Sequence, residues 1–291
     1  MNAYRVRLNV LAFITGAATG MGRGVAKSLA NQNYKVVIAD WNDVEGQQLA
    51  KEIGADFHKV DVTSWADQYN AFEETFKKHG RIDFVHANAG ISDRVDYLTT
   101  ESTESLTADN PPKLLTVDVD LVGVIYSSIL ATRYFRRNPK DVKSPLLLLT
   151  SSGIGLYPGP AAPLYAAAKH GVTGLARSLA ARWREEENGF RCNALVPGLV
   201  LTNIMPKVTR DKWADKGVNT SVEQIVEGVN DMLHSDRTGS TCEVSRTNRW
   251  YRDQPAFKDD VQRQVIEEVC SFKNIGLEFE AARVNGEQPT S

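Results

Sequence analysis

Tyr165 and Lys169 lie four residues apart, and Ser152 precedes Tyr165 by thirteen residues. On a helix, positions i and i+4 share a face, so the Lys169 ammonium stands beside the Tyr165 ring. A phenol titrates near pH ~10 and is a poor base at neutral pH. A close ammonium in a partly desolvated site favours the phenolate, and about 3 units of lowering requires about 4 kcal/mol of differential interaction. A tyrosine poised in this way takes a proton from a hydroxyl or gives one to a carbonyl oxygen. Ser152 would hold that oxygen in place. A Tyr–Lys pair at helical spacing also occurs on ordinary helix surfaces, so the reading depends on what surrounds it.

What surrounds it is a set of apolar runs that end in small or polar residues. The first, 10–15, leads into Thr15-Gly16-Ala17-Ala18-Thr19-Gly20-Met21-Gly22 and then a helical stretch. Glycines allow a sharp turn and a close backbone approach, and a helix N-terminus favours a pyrophosphate. Taken alone this is a plain Gly-rich turn; between a strand and a helix it reads as a dinucleotide site. Asp40 ends the second run, twenty-four residues after Gly16. A carboxylate there accepts hydrogen bonds from the adenosine ribose hydroxyls and repels a 2′-phosphate, which reads as NAD(H) rather than NADP(H). The plainer reading is a solvated Asp opening a turn before Asn42. Arg23, the nearest basic residue, lies inside the helix rather than before Gly20. Asp61-Val62 and Asn88-Ala89-Gly90 end the third and fourth runs. Each fits an ordinary strand-terminating turn; together they describe a crevice. An oxidised nicotinamide ring bound there, being positive, would favour the Tyr165 phenolate further, and Lys169 can also hold the ribose.

The elements that must position these groups alternate regularly. Strands are expected at 10–15, 35–39, 55–60, 83–86, 145–150, 191–196 and 241–245. Helices are expected at 22–31, 44–53, 64–79, 114–136, 164–187 and 222–233. Such βα alternation implies an α/β fold with a doubly wound parallel sheet and helices on both faces. It is read as one catalytic domain over 1–251, followed by a charged C-terminal extension, 252–291, with a helix near 258–272. Residues 92–112 read as an extended loop, and 201–219, just after a strand's carboxyl end, as a lid.

The 291 residues carry a net charge of −2, with 42% hydrophobic and 24% charged residues. That balance gives no pull towards nucleic acid or anionic membranes. The longest aliphatic run, 146–149, is too short to span a bilayer, and the start, with Arg5 and Arg7, does not read as a signal peptide. The cysteines Cys192, Cys242 and Cys270 show no metal-ligand spacing and fit a reducing compartment. A cytoplasmic, metal-free protein is expected.

Thr15-Gly16-x-x-x-Gly20-x-Gly22, Asn88-Ala89-Gly90, Ser152, Tyr165-x-x-x-Lys169 and Pro197-Gly198-x-x-x-Thr202 together resemble the ordered signature of the short-chain dehydrogenase/reductase family, from about Val10 to Val244. The resemblance implies a Rossmann-type sheet in the order 3-2-1-4-5-6-7. It also implies that Pro197, Gly198, Val200 and Thr202 cradle the nicotinamide, and that the two long helices form a homodimer or homotetramer interface. Asp40-Trp41-Asn42 and Ala167-Ala168-Lys169-His170-Gly171 are similar to the hydroxyprostaglandin dehydrogenase branch, which oxidises secondary alcohols with NAD. Two departures stand out. Where the family carries Asn in Asn-Leu-x-Gly-Val, this chain has Asp120-Leu121-Val122-Gly123-Val124. An ionised Asp accepts hydrogen bonds but cannot donate, so the proton relay is rewired or the change is merely tolerated. The branch's substrate-touching Gln, three residues before the Tyr, is Ala162 here.

The expected activity is interconversion of a secondary alcohol and a ketone on a small, largely apolar molecule, with Ser152, Tyr165, Lys169 and Asp120 as the candidate catalytic groups. Leu156, Tyr157, Pro158, Met205, Trp213 and Trp250 are candidates for an apolar pocket wall. Lys207, Arg210 and Lys212 either meet an acidic group or form a solvated lid face. Two alternatives stay open: a natural-product ketoreductase or an isomerase or cyclase on the same scaffold, and a catalytically silent nucleotide-binding protein.

Overall fold

Parallel strands covered on both faces read as unbroken apolar runs, and four such runs form the centre of this protein. The computed structural model describes residues 10–273 except 94, 206 and 215. β1 (Leu11–Thr15), β4 (Phe84–Ala87), β5 (Leu146–Thr150) and β6 (Arg191–Pro197) are buried along their whole length. β2 (Lys35–Asp40), β3 (Asp56–Lys59), β7 (Thr241–Ser245) and β8 (Asn248–Arg252) complete one sheet in the order β3-β2-β1-β4-β5-β6-β7-β8. β1 to β7 pair in parallel, in the expected order.

β8 is an addition to the expected seven. It folds back antiparallel on β7, with Ser245 opposite Asn248 and Glu243 opposite Trp250. Its side chains alternate between half-buried and exposed, and Arg249 and Arg252 give the segment the composition of a charged tail. One-sided burial at a sheet edge leaves too weak an apolar signal to be read as a strand.

Alternation of side chains about the sheet divides the core into two layers. Phe13 and Leu147 face α3 (Trp65–His79), α4 (Leu115–Arg137) and α5 (Pro163–Glu185), where Phe72, Tyr134, Val172 and Trp183 are buried. Ile14 and Leu148 face α1 (Gly20–Asn31), α2 (Asp43–Ile53) and α7 (Val222–His234), which bury Leu29, Leu49 and Met232. α4 is long and apolar enough to cross a membrane by composition alone; here its inner side, Leu130 and Tyr134, lies fully within the first layer. Along α4, residues Asp118–Val122 form a π turn, a widening frequent at functional positions.

The expected loop at 92–112 contains a short helix, Thr100–Glu104, and a Thr107–Asn110 bridge. The expected lid at 201–219 contains α6 (Lys207–Ala214). The helix expected at 258–272 is Asp260–Gln264 running into a π turn, Val265–Val269. Expectations for 1–9 and 274–291 lie outside the described residues.

Phe72 joins the sheet to α4, its ring 4.2 Å from that of Phe13 and 5.7 Å from that of Tyr134. Phe72→Ala is expected to cost about 3–5 kcal/mol. Urea denaturation checks this: the midpoint should fall while the slope stays at the wild-type value.

Candidate active site

The chain leaves β1, visits β2 and β3 on one side, and returns to β4 on the other, so a crevice opens at the carboxyl ends of β1 and β4. Thr15 ties the two tips together: its Oγ1 accepts the N–H groups of Asn88 (3.0 Å) and Ala89 (3.2 Å). Asn88 returns two bonds through Nδ2, to the carbonyls of Thr15 and Gly16, each 3.1 Å. Gly16 has φ +63°, and a Cβ there would lie 2.6 Å from Ala89 Cα; one at Gly22 would lie 2.3 Å from the Gly16 carbonyl oxygen. Only glycine fits either place, and the backbone is left bare toward the crevice.

α1 follows immediately. Its N-cap residue, Thr19, makes no side-chain cap bond, whereas α2, α3 and α7 are capped by Asn42, Ser64 and Ser221. With no acidic residue in its first turn, α1 presents a positive dipole end to the crevice. Asp40, at the tip of β2, is buried, its carboxylate accepting from Ala18 N and Asn42 N, both 2.9 Å. Arg23 is engaged by Glu52 (2.9 Å) and Glu45 (3.5 Å). Across the crevice, the segment after β6 folds back until Thr202 stands against Gly20, its Cγ2 3.3 Å from where a Gly20 Cβ would be. Gly198 N donates to Val244 O (2.7 Å), and Val200 is buried. Met21 lies half-buried in the first turn of α1, Val62 is buried, and Asp61 is exposed with Oδ1 taken by Thr63. The glycine turn and the segments holding Asp40, Asn88 and Thr202 are therefore one neighbourhood.

The second neighbourhood lies at the tip of β5. Ser152 Oγ accepts from Ile154 N at 3.3 Å, leaving its hydroxyl free to donate. Lys169, on α5, is only 2% exposed, and its Nζ donates to Thr150 O (2.9 Å) and meets Asp120 Oδ2 at 3.0 Å. The ammonium lies 5.5 Å from the Tyr165 ring centre. Burial pulls the lysine's protonation down, but the Asp120 charge, and then Tyr165, outweigh it and hold the ammonium above its ordinary range. Burial pushes the Asp120 carboxyl up, against the opposing pull of Lys169 and of Ile91 N, which donates to Oδ1 at 2.8 Å. Gly90 has no room for a side chain, since a Cβ would lie 2.9 Å from Asp120 Oδ2 and 3.4 Å from Lys169 Nζ. Behind this group, His86 bonds Thr150 Oγ1 through Nε2 (2.8 Å), and burial pushes its imidazole down to about 3, so it stays neutral.

The structure thus brings Ser152, Tyr165, Lys169 and Asp120 to the ends of β4 and β5, beside the glycine turn. It adds residues that the sequence reading did not identify. Asp93 accepts the N–H groups of Leu164 (3.1 Å) and Tyr165 (3.3 Å), capping α5 from outside the helix. A signal for it was present: α5 begins Ala162-Pro163, with no local side chain able to cap. Residues 93 and 95–98, expected to be extended loop, face 161, 163 and 164 across a cavity of about 160 Å³. Tyr157, expected in an apolar wall, instead holds a polar cluster, its hydroxyl donating to Glu243 (3.3 Å) and accepting from Arg252 (2.9 Å). Lys207 pairs with Asp211 (2.6 Å) and Arg210 bonds Asn203 (2.7 Å), as on a solvated face.

Known proteins share this arrangement. The short chain dehydrogenase family model matches residues 10–213. Short-chain dehydrogenase/reductase prx7 of Penicillium rubens is 33% identical over 279 residues, 88% of this chain and 98% of its own length. Human 15-hydroxyprostaglandin dehydrogenase [NAD(+)] is 28% identical over 69% of this chain and 72% of its own. A crystal structure of 3-ketoacyl-(acyl-carrier-protein) reductase from Brucella melitensis, complexed with NADH, superposes with a TM-score of 0.71 at 24% identity. It covers 81% of this chain and 97% of that one, a likeness of fold. With its doubly wound sheet and a family match across most of its length, the chain belongs to the short-chain dehydrogenase/reductase family of oxidoreductases.

Proposed function

We propose that this protein is an NAD-dependent dehydrogenase that interconverts a secondary alcohol and a ketone on a small, largely apolar substrate. The observation that carries the reading is the buried Lys169 ammonium, held by Thr150 O and Asp120 at 2.9 and 3.0 Å with the Tyr165 ring beside it. A cation fixed there at the cost of its hydration favours a phenolate over a neutral phenol. In oxidation the substrate hydroxyl gives its proton to Tyr165 Oη while the carbinol C–H bond breaks. In reduction Tyr165 returns the proton to the carbonyl oxygen. Ser152 Oγ–H donates to the same substrate oxygen and fixes its position. Bound nicotinamide supplies the hydride acceptor in one direction and the hydride donor in the other.

The crevice fits that cofactor. The bare Gly16 and Gly22 backbone and the uncapped α1 N-terminus suit a pyrophosphate. Gly16, Thr19, Gly20, Met21 and Gly22 line that end, with Asp61, Val62, Asn88, Ala89 and Gly90 along the crevice. Pro197, Gly198, Val200 and Thr202, with Tyr165 and Lys169, hold the nicotinamide side. NAD is preferred because Asp40 presents a fixed carboxylate at the tip of β2, which would repel a 2′-phosphate, and because Arg23, on α1, is already paired with two glutamates.

The 5'-hydroxyaverantin dehydrogenase of Dothistroma septosporum, 33% identical over 86% of this chain, is named for the same class of step. We assign residues 1–251 to one catalytic domain, with 201–219 as its lid and 252–291 as an extension. We further assign the protein to the cytoplasm, as a homodimer or homotetramer formed through α4 and α5, where Ile129 is half exposed.

Nicotinamide absorbance on a panel of secondary alcohols and ketones, with both cofactors, tests the reading. Turnover with NAD(H) should fall ~1,000-fold or more in Tyr165→Phe, in the upper half of the usual contribution of one general acid–base group because the phenol also anchors the substrate oxygen. Activity that survives this change removes Tyr165 from the chemistry. Asp40→Ala should shift the ratio of kcat/KM for NAD over NADP by about tenfold towards NADP, the loss of one charge-assisted hydrogen bond. An unchanged ratio would mean that Asp40 only braces the turn through Ala18.

A further inference from the structure

Lys169 has three N–H donors and almost no contact with solvent. One goes to Thr150 O, the ammonium pairs with Asp120 Oδ2 at 3.0 Å, and the Tyr165 ring centre lies 5.5 Å away. Asp120 is fully buried, on the π turn of α4, with Oδ1 fixed by Ile91 N. The pair is admitted to this position because Gly90 carries no side chain. The other charged groups that bear on it are few. Tyr165 acts on Lys169 along α5, Asp93 acts on Asp120 from the segment after β4, and β5 contributes only the Thr150 carbonyl.

From this geometry we propose that Asp120 is a positioning and charge-balancing residue. Its carboxylate locks the Lys169 ammonium beside Tyr165 and offsets part of that ammonium's field, tuning proton abstraction towards alkaline pH. The inference rests on Tyr165 being the proton carrier. A neutral amide at 120 would keep the shape but has one acceptor oxygen where the carboxylate has two, so it could serve Ile91 N or Lys169 and not both. It would also remove a full negative charge from a desolvated site, where charges act more strongly than in water. With that charge gone, the Lys169 ammonium, kept by Thr150 O and by Tyr165 itself, stabilises the phenolate without a counterweight. The enzyme then reaches its base form at lower pH. A packing role for Asp120 predicts no such movement.

The test is the pH profile of kcat/KM for oxidation of the best alcohol in the panel, for wild type, Asp120→Asn and Asp120→Glu. In Asp120→Asn the acid limb should move about one unit lower, while Asp120→Glu, which keeps the charge, should stay near wild type. An acid limb that stays put, moves upward, or moves equally in both variants overturns the proposal. A second readout needs no substrate. Tyrosinate absorbance is titrated in wild type and in Asp120→Asn, each corrected with its own Tyr165→Phe partner. The Tyr165 midpoint should be about one unit lower without the carboxylate, and equal midpoints overturn the proposal. If Asp120→Asn does not fold, Asp120→Ser takes its place in both measurements, with the same expectations. Full turnover in Tyr165→Phe would instead remove the proton-carrier assignment itself, whatever the position of the limb.

Discussion

A lysine ammonium taken out of water has to be paid for with partners, and the interior of this protein is arranged around one such group. Isolated, a buried cation costs several kcal/mol even after relaxation. Lys169 escapes that cost through Thr150 O at the end of β5 and Asp120 on α4. Each partner imposes a condition on a separate element. β5 must end with its last carbonyl facing α5. α4 must widen into a π turn at Asp118–Val122, and the turn after β4 must have glycine at position 90. Gly155 answers to the lysine's backbone rather than to its charge: a Cβ there would lie 2.2 Å from Ser151 Oγ and 2.8 Å from the Lys169 carbonyl. Several features that look like independent motif positions are therefore consequences of one buried charge.

The nucleotide side is governed by a different constraint, the closeness of two strand tips. Thr15 and Asn88 exchange side-chain bonds with each other's backbone, which sets the separation of β1 and β4 and brings Gly16 against Ala89. Asp40 extends that bracing to β2 through Ala18 N. Its carboxylate is thus held in place by two backbone N–H groups, those of Ala18 and Asn42.

Much of this was legible in the residues, and what was missed has a physical explanation. β1, β2 and β5 are largely apolar runs because both faces of the sheet are covered, so strands and their parallel direction could be read, while the order came from the family resemblance. β8 was not read as a strand, because an edge strand buried on one side carries Asn248, Arg249 and Arg252 as readily as a tail does. The Tyr165–Lys169 spacing is a local, helical property and survives intact into the fold. Asp120 was visible as a departure from the family pattern, yet its partner lies forty-nine residues away, and only the fold shows that the carboxylate meets Lys169 directly. Asp93 acts across seventy-one residues, beyond the reach of any local spacing rule.

That long-range cap joins two functions that the sequence keeps apart. Pro163 has no N–H to offer, so the first donors of α5 are Leu164 and Tyr165, and both go to Asp93. Asp93, with residues 95–98, also forms one wall of the cavity facing 161, 163 and 164. The backbone of Tyr165 is therefore fixed by a residue whose loop also shapes the space beside it. Asp93 in turn contributes to the field at Asp120. A displacement of this loop would be felt at the tyrosine backbone and at the buried ion pair together. The loop after β4, the start of α5 and the buried ion pair thus meet at one mechanical joint.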